Sequence, residues 1–145
     1  MLRRSHRGAI FADAEVFRTQ WVPADFHSRD AELDAMATAL EPLLETEPAP
    51  GLFLAGPSGT GKTSSSRYLI GKLQSHAADL QAATVNCWSN HSRYRVLARI
   101  VEAIEGVPAR THDHSTASLR DALGAIDAPT VVVLDEADQI EEPEV

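Results

Sequence analysis

A chain of 145 residues is long enough for one domain with its own core. Its 43% hydrophobic content suits a globular protein, and no apolar run approaches the roughly 18 residues of a membrane span. A net charge of −8 argues against general nucleic-acid binding, which depends on positive charge facing phosphate.

The chain opens on Met1-Leu2-Arg3-Arg4-Ser5-His6-Arg7. This basic stretch lacks the apolar segment of a secretory signal, and residues 1–20 show no clear period, so a flexible, solvated arm is expected. A helix is predicted from Ser28, with Ser28 or Asp30 accepting its first free amides. Leu33, Met36, Ala37, Leu40 and Leu44 recur at helical spacing and mark its apolar face. Pro42 should kink or end it, and Thr46 to Pro50 reads as a loop. Gly51-Leu52-Phe53-Leu54-Ala55 is a short continuous apolar run, which predicts a strand buried on both faces.

A second helix is expected from about Lys62 to Ser75, with Leu69 and Leu73 inward, then a short strand over Ala82 to Asn86. Tyr94, Leu97, Ile100, Val101 and Ile104 define a third helix that Gly106 ends. Leu119, Ala122, Leu123 and Ile126 define a fourth. Pro129 breaks it, and Thr130 to Leu134 is a further strand. Strands alternating with helices predict a parallel sheet covered on both sides, an α/β fold in three layers.

Two segments carry chemistry. Gly56-Pro57-Ser58-Gly59-Thr60-Gly61-Lys62-Thr63 satisfies G-x-x-x-x-G-K-[ST], a phosphate-binding loop. Its glycines let the backbone turn tightly and bring its amides close to oxygen atoms. The helix that follows adds its positive end. Lys62 brings a mobile point charge to β and γ phosphates, and Thr63 offers a hydroxyl to magnesium. Downstream, Val131-Val132-Val133-Leu134 is an apolar strand ending in Asp135-Glu136. Asp135 is expected to hold the metal, usually through water, and Glu136 to polarise an attacking water as a general base. Either motif alone can mislead; in this order they point to a nucleoside triphosphatase using ATP and Mg2+.

The remaining candidates read as structural. His112-Asp113-His114 has no further metal ligands nearby and reads as a polar loop. Cys87, the single cysteine, excludes an internal disulfide and fits a reducing cytoplasm. With no base partner in sequence, it reads as a small buried thiol. Trp21 and Trp88 are expected to pack rather than to stack on bases. His91 and Arg93 are expected to be solvated at a helix start, and Asp138, Glu141, Glu142 and Glu144 to form a solvated acidic tail. Lys62 and Lys72 are the only lysines; such acid-rich, lysine-poor composition occurs in salt-adapted organisms and also follows from a GC-rich genome.

The loop wording and the Leu-Asp-Glu-Ala-Asp ending of residues 134–138 resemble an AAA+ ATPase of the P-loop NTPase class. Residues 23–33, Pro-Ala-Asp-Phe-His-Ser-Arg-Asp-Ala-Glu-Leu, resemble the opening box of archaeal replication initiators, although Ser28 stands where that family usually has histidine. Those initiators are relatives of the origin recognition complex large subunit and of the cell division control protein six. Val85-Asn86-Cys87-Trp88 and Ser92-Arg93-Tyr94-Arg95-Val96-Leu97 resemble their second strand and following helix. The resemblance spans about residues 20–142.

It implies an ATP or ADP site built from Val22, Pro23, Gly56, Pro57, Ser58, Gly59, Thr60, Gly61, Lys62, Thr63 and Ser64, with Val22 and Pro23 on the adenine side. It also implies origin DNA, a replicative helicase and neighbouring AAA+ subunits as partners. The family continues with a sensor strand, a helical lid and a winged-helix domain. On that pattern residues 21–145 are expected to be a truncated core with strands one to three only, binding ATP but hydrolysing it poorly. In the family strand order 5-1-4-3-2, residues 51–55 then lack ladder partners on both edges, unless strands one and three slip together. The alternatives are another AAA+ or signalling ATPase core, or an inert product that pairs with intact initiators.

Overall fold

The computed structural model describes residues 29–104 and 115–141. Helix α1 spans Asp30–Leu40 and runs on as a tight 3-10 turn over Glu41–Glu45. The change of helix type falls where Pro42 removes a backbone donor, as expected. The predicted capping by Asp30 does not occur. Arg29 takes the N-cap position without a side-chain cap, and Asp30 and Glu32 sit in the first turn, where their charge complements the helix dipole.

Helix α2 spans Lys62–His76, strand β1 Gln81–Asn86, α3 Arg93–Ala103, α4 Thr116–Gly124 and β2 Thr130–Asp135; a single 3-10 turn, Ala137–Gln139, follows. Ser92 and Ser115 cap α3 and α4 by accepting from the amides of Arg95 and Ser118. α4 ends at Gly124, earlier than the Pro129 break suggested, because Ala125 turns its amide back to Ala122 and Leu123. Ile126 therefore packs from the turn rather than from the helix.

β1 and β2 pair in parallel from Gln81 opposite Thr130 to Asn86 opposite Asp135. The Gln81 amide donates to Pro129 O and the Cys87 amide to Asp135 O, both at 2.9 Å, so the ladder continues past each strand end. Alternation along β1 buries Ala83, Val85 and Cys87 on one face. There they meet Val96, Ile100 and Ile104, with Leu123, Ile126 and Ile140 packed around them. On the other face Met36, Leu69, Leu73 and Leu80 form a second core, which Val131 joins. Helices α1 and α2 thus cover one side and α3 and α4 the other: three layers, as the sequence predicts. Tyr94 is the exception on α3, at 47% exposure.

The predicted first strand is not a strand. Residues 51–55 have no regular structure and make no ladder hydrogen bond among the described residues. Phe53 is 88% exposed, and Leu52 and Leu54 are also exposed. The expected alternative, a slip that pairs this segment with β2, does not occur either: the only sheet among the described residues is β1–β2. A cavity of about 520 Å³ instead separates Gly51–Leu54 from the outer edge of β2. The apolar run carries strand propensity, but a buried strand also needs partners for its amides and carbonyls, and among the described residues this segment pairs with none.

Candidate nucleotide site

The phosphate loop lies between the irregular segment 51–55 and the start of α2. Gly59 and Gly61 have φ values of 77° and 84°, a left-handed backbone that residues with a Cβ rarely adopt. Gly61 is also the N-cap of α2, so the turn of the loop and the start of the helix are one event. Thr60 Oγ1 donates to Pro57 O at 2.8 Å and closes the loop on itself. Ser58 stands exposed at the tip; Ser64 is half-buried in the first turn of α2.

Lys62 folds its ammonium back over the loop, donating to Gly56 O at 2.8 Å and Pro57 O at 3.0 Å. Both acceptors are neutral carbonyls, which a phosphate oxygen outcompetes because it adds the attraction of its own negative charge for the ammonium. The lysine is therefore held at the loop without being consumed by a carboxylate.

The two motifs meet. Thr63 Oγ1 donates to Asp135 Oδ1 at 2.9 Å, joining residues 72 positions apart in sequence. This contact links the first turn of α2 to the last residue of β2 and places two hard oxygen donors side by side. Such a pair fits magnesium, which takes oxygen ligands and keeps several waters. The glycines fit a phosphate-binding turn: Gly59 and Gly61 hold the left-handed backbone that lets successive amides point one way. Thr63 and Asp135 thus touch, and Lys62 lines the same cavity.

Glu136 follows at φ 55°, ψ 46°, left-handed without being glycine. Glutamate enters this region at a cost of order 1–3 kcal/mol, and residues held there cluster at functional sites. Glu136 and Asp138 line the cavity beside β2, as does Lys62. Val22 and Pro23, the expected adenine contacts, lie outside the described residues, as do Trp21, His112, Asp113, His114, Glu142 and Glu144.

Three surrounding residues differ from expectation or add to it. Trp88 does not pack: it is 68% exposed in the turn after β1, because the alternation that buries Cys87 turns its neighbour outward. Glu141 is not merely solvated. Its amide donates to His91 O at 3.0 Å and its carboxylate lies 3.3 Å from His91 Nε2, tying the segment after β2 to the turn after β1. Arg29 was legible in sequence only as part of a box. In space its Nε lies 3.9 Å from where a Cβ on Gly61 would stand, against the phosphate loop. Cys87 is fully buried, as expected, and burial raises its thiol above the usual 9.0, with the Asp135 and Asp138 charges adding to the effect.

Comparison with known proteins identifies a family and a fold. The family model described as an AAA domain matches residues 46–145. ORC1-type DNA replication protein 9 of Halobacterium salinarum is 40% identical over 137 residues, covering 92% of this chain and 38% of that protein. The chain thus spans about two fifths of that curated relative. Among solved structures, the Aeropyrum pernix ORC1 protein, determined in complex with DNA, superposes with a TM-score of 0.70 at 30% identity, covering 81% of this chain and 32% of its own. Cdc6p from Pyrobaculum aerophilum gives a TM-score of 0.76 over 92% of this chain and 36% of its own; at 22% identity it speaks for the fold alone.

Proposed function

The chain belongs to the AAA domain family, among its ORC1-type members, and from that premise we propose that it binds ATP with Mg2+ as the nucleotide-handling part of a DNA replication initiator. The observation that carries the reading is the 2.9 Å contact between Thr63 and Asp135 beside a lysine held over a glycine loop. Magnesium, when bound there, neutralises phosphate charge and polarises the phosphoryl group.

Each residue has a task that follows from its position. The amides of the 56–63 loop and the N-terminus of α2 receive phosphate oxygens. Lys62 leaves its two carbonyl acceptors and follows the β and γ phosphates. Thr63 on α2 and Asp135 on β2 would hold the metal. Glu136, one residue beyond the metal aspartate, accepts a proton from the attacking water. No helix among the described residues is long and apolar enough to cross a membrane. Origin DNA, a replicative helicase and neighbouring AAA+ subunits belong to the same proposal, on the strength of the similarity to ORC1-type proteins.

Titration calorimetry with ATP and Mg2+ tests the site. The wild-type chain should bind, and Lys62→Ala should raise Kd at least about tenfold, the scale of one charge-assisted contact, with helical circular dichroism unchanged. Equal affinities in the two proteins overturn the role of Lys62; no binding by the wild type overturns the reading.

A further inference from the structure

We propose that the outer edge of β2 is a self-association surface, at which the β2 strands of two copies of this chain pair antiparallel about a two-fold axis. The inference is independent of the nucleotide reading. Among the described residues β2 has a strand neighbour on one side only, β1. The backbone donors and acceptors along its other side are a template for a further strand.

The two strands of the sheet carry different signatures. β1 alternates: Ala83 and Val85 are buried, while Thr84 and Asn86 are polar and exposed, as suits a strand at a sheet margin. β2 is apolar on both faces. Val131 joins the core under α1 and α2, whereas Val132 and Leu134 turn to the opposite face and stay 41% and 39% exposed. A continuous apolar run of this kind suits a strand with neighbours on both edges. Val131-Val132-Val133-Leu134 holds no lysine or proline of the sort that keeps an edge unpaired. Residues 51–54 line the cavity beside it but make no ladder bond, so a strand arriving at β2 breaks none.

Charge selects the partner and its direction. A parallel copy in register would set Asp135 against Asp135 and Glu136 against Glu136. An antiparallel copy, related by an axis normal to the sheet, sends the two acidic ends apart. With Val132 opposite Val132, Val131 meets Val133, Thr130 meets Leu134, and Asp135 meets the uncharged Pro129. An axis at Val133 would instead bring Val131 against Asp135. In the first register the edge is complementary to itself, as a closed two-fold dimer requires.

Sedimentation velocity of the full chain over a concentration series reads the association, in about 1 M salt to screen the −8 charge of each copy. Cysteine cross-linking reads the register. Val132→Cys places two thiols opposite each other, with Cα atoms roughly 4.5–5.5 Å apart, a span a disulfide bridges, and mild oxidation should yield a covalent dimer. Leu134→Cys leaves its two thiols about 13 Å apart along the strands and should cross-link at least about tenfold less. Cys87 is fully buried, and the wild-type chain serves as the blank. Val132→Lys and Val132→Glu should each be monomeric, and an equimolar mixture should dimerise again, since opposite charges then face each other. Recovery on mixing shows that neither variant has merely unfolded. Cross-linking at position 134 equal to that at 132, or a mixture that stays monomeric, overturns the proposal. So does a wild-type monomer at every concentration, which leaves the edge to residues 51–55 if hydrogen exchange there is slow, and to a different protein if it is fast.

Discussion

Asp135 and Glu136 are neighbours in sequence with opposite conformational circumstances. Asp135 ends β2 in extended backbone, its carboxylate met by Thr63. Glu136 turns left-handed, which redirects the chain after Asp135. A folded protein keeps glutamate there at a cost when its carboxylate has a task that a cheaper residue cannot perform. Glu136→Asn should relieve the strain, since asparagine enters the left-handed region more readily. The expected outcome is a gain of about 0.5–1 kcal/mol in urea unfolding. ATP binding should persist while phosphate release, followed by a coupled colorimetric assay, falls to background. Loss of binding together with stability would instead make Glu136 structural.

At the level of elements, the four helices and the strands β1 and β2 form where the sequence places them, and residues 51–55 do not, for one physical reason. α2, α3 and α4 satisfy their backbone groups internally, so an apolar period and a cap suffice to place them. The segment 51–55 has the composition of a buried strand, yet its amides need a neighbour. Residues 51–54 and β2 line one cavity of about 520 Å³, and no ladder hydrogen bond joins them. Hydrogen exchange followed by mass spectrometry should find residues 52–55 exchanging at nearly the free rate, and residues 81–86 and 130–135 protected by their mutual ladder. Slow exchange at 52–55 would mean that the segment finds a strand partner in solution.

At the largest scale, stability among the described residues rests on two apolar layers either side of the β1–β2 sheet. The α3 and α4 layer is built on Ala83, Val85 and Cys87, all at or below 2% exposure. Ile100, buried to 7% exposure, spans from α3 onto that face. Ile100→Ala should cost about 2–5 kcal/mol, the usual price of a core cavity. Phe53→Ala, at a residue 88% exposed, should change stability by less than about 0.5 kcal/mol. Urea denaturation of the two variants separates them. A large loss at Phe53 would show that this ring is buried in solution, contrary to the arrangement described.

The residue string by itself determined the local form of the candidate site. The spacing of glycines, lysine and threonine specifies a backbone turn and a helix start through local sterics alone, and the apolar strand ending in two acids is equally local. The alternation of helix and strand periods determined the three layers for the same reason. Three-dimensional packing decided what depends on distant neighbours. It brought Asp135 within 2.9 Å of Thr63 and set Arg29 against Gly61. It also turned Trp88 to solvent and denied residues 51–55 their strand, because hydrogen-bond partners and burial belong to pairs of segments and cannot be read from one.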